Sequence, residues 1–111
     1  MIASTKPRPR FRIGQLVQHR RHGYRGVVVH LDPFCKAPDA WYFENQTQPE
    51  REQPWYHVLV DGGERITYAA QSNLQADPSD KPIENPLVEV FFKSFAGEAY
   101  TRNDRPWDGS W

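Results

Sequence analysis

The chain has 111 residues, 38% of them hydrophobic, 14% aromatic and 25% charged, and its 14 basic groups balance 14 acidic ones. That length suits one domain with a real core and excludes two independent ones. The lone Cys35 excludes an intramolecular disulfide and a cysteine-rich metal site, and no apolar run reaches the roughly 18 residues of a membrane helix or follows the basic start as a signal peptide would, so a cytoplasmic home is expected.

The neutral total hides a split. Lys6, Arg8, Arg10, Arg12, Arg20, Arg21 and Arg25 all precede residue 32, with no Asp or Glu among them, so the remainder sets seven basic groups against fourteen acidic ones. A basic surface can then face a polyanion while the rest of the protein stays soluble. Residues 1 to 10, with Pro7 and Pro9, read as a flexible basic arm.

Arg12 to His19 reads as a first strand and Arg25 to Asp32 as its partner, the three valines at 27 to 29 favouring a pleated backbone and Asp32-Pro33 closing the second strand. Gly23 and Gly26 are assigned to the turn, which presents the charge outward. Residues 33 to 54 hold four prolines and read as a long loop. Within it, Trp41-Tyr42-Phe43 either folds back over the core edge or stays exposed for a partner.

Trp55 to Val60 is the clearest strand, with Asp61-Gly62-Gly63-Glu64 as a hairpin turn and Arg65 to Tyr68 returning. Period-two alternation puts Trp55 and His57 on one face and Tyr56 on the other, without deciding which is core. Ala69 to Leu74 reads as one helical or 3-10 turn before Asp77-Pro78. Asn85 as N-cap, Pro86 at the first helical position, an apolar stripe Leu87, Val88, Phe91, Phe92 and Phe95, and Gly97 as stop predict a short C-terminal helix, although alternation at Val88, Val90 and Phe92 also fits a strand. Tyr100 to Trp111 carries no pattern.

The expected fold is therefore mostly β: a small SH3-like barrel over residues 11 to 75, with a long loop, then a linker, helix and tail over 76 to 111 packed on the barrel or on a neighbouring subunit. The apolar Leu87 to Phe95 segment favours a subunit contact.

Five ordered blocks then carry a resemblance. Phe11-x-Ile13-Gly14-Gln15-x-Val17-x-His19, Gly23-Tyr24-Arg25-Gly26-Val27-Val28, Asp32-Pro33, Gln53-Pro54-Trp55-Tyr56-His57-Val58-Leu59 and Tyr68-x-Ala70-x-x-Asn73-Leu74 resemble the HspQ/YccV-like family of heat-shock and hemimethylated-DNA-binding proteins. The resemblance implies no enzymatic activity, no cofactor, binding to double-stranded DNA with a preference for hemimethylated sites, selective turnover of denatured proteins as a specificity factor for a Lon-type protease, and a homotrimer. Members often carry acidic residues where this chain has Gln71 and Ser72.

Candidate DNA contacts are His19, Arg20, Arg21, His22, Tyr24 and Arg25, the arginines neutralising phosphates and Tyr24 being the one aromatic near enough to read a methyl group. Trp41, Tyr42, Phe43, Trp55, Phe91 and Phe95 are the candidate partner contacts. The rival reading is a protein-interaction adaptor that uses exposed aromatics, including Trp107 and Trp111, and does not touch DNA. Neutral imidazoles of His19, His30 and His57 are ligand types, but nothing in their spacing enforces a metal site, and Cys35 lacks the paired acid and glycine-rich element of a nucleophile.

Overall fold

In the computed structural model, which describes residues 7–108, the chain is built mainly of strands. β1 (Leu16–His19), β2 (Arg25–Asp32), β3 (Trp55–Val60), β4 (Ile66–Ala70) and β5 (Leu74–Ala76) form one sheet in the order β4-β3-β2-β1-β5. All its pairings are antiparallel, and β4 and β5, joined by a 3-10 turn at Gln71–Asn73, are its two edges. β2 and β3 begin and end at the predicted residues. The first strand is shorter than predicted and the fourth lies one residue later and runs longer.

Both faces of the sheet are covered, which is why alternation along Trp55–Val60 could not select one. Leu16, Val27, Val29 and Leu59 face one core, while Val17, Val28, Tyr56 and Val58 face another with Phe11, Ala69 and Leu74. Burial of large apolar side chains on two sides makes β3 a continuous apolar run, the pattern of a central strand. Trp55, Cys35 and Ala70 form a third cluster, against which Trp41 and Tyr42 pack.

The loop after β2 contains one helix, α1 (Asp39–Glu44), so the aromatic triplet divides: Trp41 and Tyr42 fold back, while Phe43 is exposed. Gly23 has φ of +77°, as the β1–β2 tip requires, but Gly26 serves a different purpose from the predicted turn. A Cβ there would stand 2.4 Å from Val58 Cγ1 and 2.5 Å from the Leu59 carbonyl oxygen, so only glycine lets β2 approach β3 this closely.

The C-terminal helix is corrected. Asn85 does accept from the Leu87 amide at 2.9 Å, but α2 spans only Val88–Phe91 and gives way to β6 (Phe92–Ala96), which turns through Gly97 and pairs with β7 (Ala99–Arg102). The β-prone aromatics Phe92, Phe95 and Tyr100 outweigh the helical stripe, because the hairpin buries Phe92 and Tyr100 against the first core. Tyr100 to Arg102, predicted to lack pattern, are strand.

Phe91 and Phe92 belong to the same core cluster as Leu16, Val27, Val29 and Leu59, and Leu87, Val88, Val90 and Phe95 pack against that cluster. The apolar segment read as a subunit contact thus covers this chain's own sheet. Among the described residues no helix is long and apolar enough to cross a membrane.

Candidate nucleic-acid interface

The β1–β2 tip is held by His19. Its ring is buried, and Nδ1 accepts from the backbone amides of Arg21 at 3.2 Å and His22 at 3.0 Å, while the His19 carbonyl accepts from Gly23 N at 2.9 Å. Only a neutral ring with its proton on Nε2 offers that acceptor. Burial first, then the nearby charges of His22 and Arg21, lower its pKa to about 4. His19 is therefore the internal staple of the tip rather than an outward contact, with the exposed His22 stacked on it at 4.5 Å.

The three tip arginines separate. Arg20 and Arg21 are exposed, and Arg20 is oriented by its Nε, which donates to the Leu74 carbonyl at 3.1 Å, and by its amide, which donates to Asn73 O at 2.8 Å. Arg25 points elsewhere: Nε donates to Asp77 at 2.8 Å and Nη1 to Asp61 at 3.2 Å. Its charge is matched by those two carboxylates, one of them 2% exposed. Burial works to raise the Asp77 carboxyl, yet the hydrogen bonds from Arg25 and Ser79 hold it below the ordinary carboxylate range. Arg25 ties β2 to the β3–β4 turn and to the segment after β5.

Tyr24 is also engaged internally. Its hydroxyl shares a 2.7 Å hydrogen bond with Thr67 Oγ1, its ring lies 5.0 Å from His19, and burial raises its pKa.

The residue to which sequence reading gave no role at the site is Gln71. Buried in the 3-10 turn, its Oε1 accepts from the Arg10 amide at 2.8 Å and from the Tyr56 hydroxyl at 2.6 Å, while Nε2 donates to the Arg8 carbonyl at 3.0 Å. An amide can accept and donate at once; a carboxylate in its place has no proton for Arg8. Residues 8 to 10 of the expected flexible arm are consequently moored beside the turn that also orients Arg20. Lys6 and the start of the arm lie outside the described residues.

This mooring gathers Arg8, Arg10 and Arg20 around residues 71 to 74, with Arg12 and Arg21 adjoining in sequence. All five are exposed, and among the described residues none is paired with a carboxylate. The sequence signal was the uncompensated N-terminal charge; the carboxylates opposite Arg25, at positions 61 and 77, left no local trace.

An open groove of about 1040 Å³ starts at this tip and runs along β4 towards α1. In it Asp32, buried, accepts from the Tyr68 hydroxyl at 2.6 Å and lies 3.5 Å from His57 Nε2 and 3.4 Å from His30 Nε2. Burial and the bond to Asp32 both raise the Tyr68 pKa; burial lowers that of His57 against the pull of Asp32. Trp107 lies over both imidazoles, 5.0 Å from His57 and 6.1 Å from His30. Among the described residues no His, Cys, Asp and Glu group is arranged to hold a metal ion.

Of the expected partner contacts, Trp55 and Phe91 are 2% and 0% exposed and belong to the core, because β3 is central and α2 seals the first core. Trp41, Tyr42 and Phe95 are half-buried and Phe43 is exposed; Trp111 lies outside the described residues.

The architecture and its exposed arginines define a small, mostly β domain with one cationic end. Residues 9–99 match the family described as hemimethylated DNA-binding protein YccV like, and the chain belongs to that YccV-like family. It is also 34% identical over 96 residues to F-box only protein 21 of Homo sapiens, of Pongo abelii and of Mus musculus, a match covering 84% of this chain. The chain spans about 15% of the length of those relatives.

Proposed function

We propose that this domain binds double-stranded DNA through the moored arm and the β1–β2 tip, with Arg8, Arg10, Arg12, Arg20 and Arg21 contacting the phosphate backbone. The observation that carries the reading is the convergence on the 71–74 turn of Arg8, Arg10 and Arg20, none of them paired with a carboxylate among the described residues, in a chain of the YccV-like hemimethylated-DNA-binding family. Arginines on a backbone fixed by buried hydrogen bonds lose less freedom on binding than those on a loose tail. The ladder order, with a 3-10 turn joining its two edge strands, supports reading the sheet as an SH3-like barrel.

The preference for hemimethylated sites rests on the family. So do a non-enzymatic role in heat stress, direction of a Lon-type protease to denatured proteins and a homotrimer, while a cytoplasmic location rests on the single cysteine; the DNA arm is the part that geometry supports. The test compares hemimethylated, fully methylated and unmethylated duplexes of one sequence by fluorescence anisotropy, with the wild-type chain and an Arg20→Ala/Arg21→Ala variant. Tightest binding to the hemimethylated duplex, weakened in the variant, is expected. Equal binding by the variant on every duplex would overturn the assignment to the tip.

The adaptor reading has its own support in the exposed Phe43 and the groove beside α1.

A further inference from the structure

β4 is an edge strand whose hydrogen-bonding pattern is fixed by its ends. Val60 N donates to Arg65 O and Gln71 N donates to Pro54 O, both at 2.9 Å, so in this antiparallel register Arg65, Thr67, Ala69 and Gln71 bond to β3. Ile66 and Tyr68 therefore aim their amides and carbonyls away from the sheet, as Ala70 does its amide, and no backbone partner meets these groups among the described residues, while the Ala70 carbonyl turns into the 3-10 turn that it caps.

Proteins protect such an edge with charge, proline or a bulge, or cover it. The sequence Ile-Thr-Tyr-Ala-Ala of β4 has no charge and no proline, and its pairing with β3 is regular. β5, the opposite edge, is three residues long and stops at Asp77-Pro78. The β4 edge instead forms the floor of the groove, between α1 and the β1–β2 tip.

We infer that the groove takes an extended acidic peptide, which adds to the outer edge of β4 as a further strand. Such a peptide supplies donors and acceptors alternating at the strand repeat, which a phosphodiester backbone lacks. Its side chains would alternate between a wall of Tyr24 and Thr67 and a wall of Trp41 and Tyr68.

The acidic character follows from the charges in the lining. Arg65 is exposed with no carboxylate partner among the described residues, and Lys36 is exposed, 3.9 Å from Asp32. The one carboxylate of the lining, Asp32, is buried and already met by Tyr68, His57, His30 and Lys36. The inference is independent of the DNA reading, since it uses neither Arg20 nor Arg21.

The test titrates the whole chain with labelled heptapeptides in strict alternation, Val-Glu and Phe-Glu repeats and their lysine counterparts, reading anisotropy and amide hydrogen exchange. Acidic peptides should bind at least about tenfold tighter than the lysine versions and protect the amides of Ile66, Tyr68 and Ala70. Peptide N-methylation on one alternate set of amides should abolish binding, and on the other set should spare it.

Arg65→Glu should reverse the charge preference. Ala70→Pro removes one outward amide at a residue whose φ is already −71°, and should weaken binding; if that variant misfolds, the N-methylated peptides carry the same test. Absence of binding by every peptide, equal loss from both methylation patterns, or protection of the same amides by a single-stranded oligonucleotide instead would overturn the inference.

Discussion

Acid should loosen the β1–β2 tip through one imidazole. His19 must be neutral for Nδ1 to accept from two amides, and its pKa is lowered from 6.5 to about 4. In the unfolded chain the ring has the ordinary value, so between these two values the unfolded state binds more protons and stability falls with falling pH. The contribution is complete above the unfolded value and is lost as pH falls towards the folded one. Going from about pH 7 to about pH 4, the lowered pKa removes about 3 kcal/mol, an upper figure because opening the tip relieves it locally.

The assay is urea denaturation across that range for the wild type and His19→Gln, with the ring titrated by NMR. The wild type should lose stability relative to the variant as pH drops, and amide exchange at Arg21 and His22 should accelerate first. A His19 ring titrating near its ordinary value, or parallel pH profiles for the two proteins, would refute the reasoning.

Arg25→Met should cost about 3 kcal/mol in denaturation, because Asp77 is left buried without its guanidinium, and should leave the salt dependence of DNA binding unchanged. Since Asp77 is depressed, that cost is present above the ordinary carboxylate pKa and shrinks as pH falls through the lowered value. Gly26→Ala should destabilise by about 1–3 kcal/mol or more as its Cβ meets β3, whereas Gly63→Ala, with nothing within 4 Å, should not; thermal melts of both check this. Gln71→Leu should free residues 8 to 10 and weaken duplex binding several-fold in anisotropy while exchange protection at the tip amides persists.

The local signals in the sequence were strong wherever one strand supplied its own answer. Valines 27 to 29 and the Trp55–Val60 run placed β2 and β3 to the residue, because β-branched and aromatic side chains suit a pleated surface buried on both sides. The Leu87 to Phe95 segment misled because its apolar residues satisfy two periods at once. Only the tertiary contacts of Phe92 and Tyr100 break the tie, and no single window contains them.

At the site, charge was legible and pairing was not. The N-terminal block located Arg20 and Arg21 correctly on an exposed tip, but Arg25 finds its carboxylates 36 and 52 residues away. Gln71 was noticed only as a departure from an acidic pattern, and its hold on Arg8 and Arg10 spans more than 60 residues.

The salt dependence of duplex affinity tests the central proposal most directly. With three to five of the exposed arginines on phosphates, the logarithm of affinity should fall against the logarithm of salt with a slope of about −3 to −5. Replacing Arg10, Arg12, Arg20 and Arg21 together by alanine should flatten it to about −1 or less. A slope that survives this change would contradict the account and place the DNA on another face.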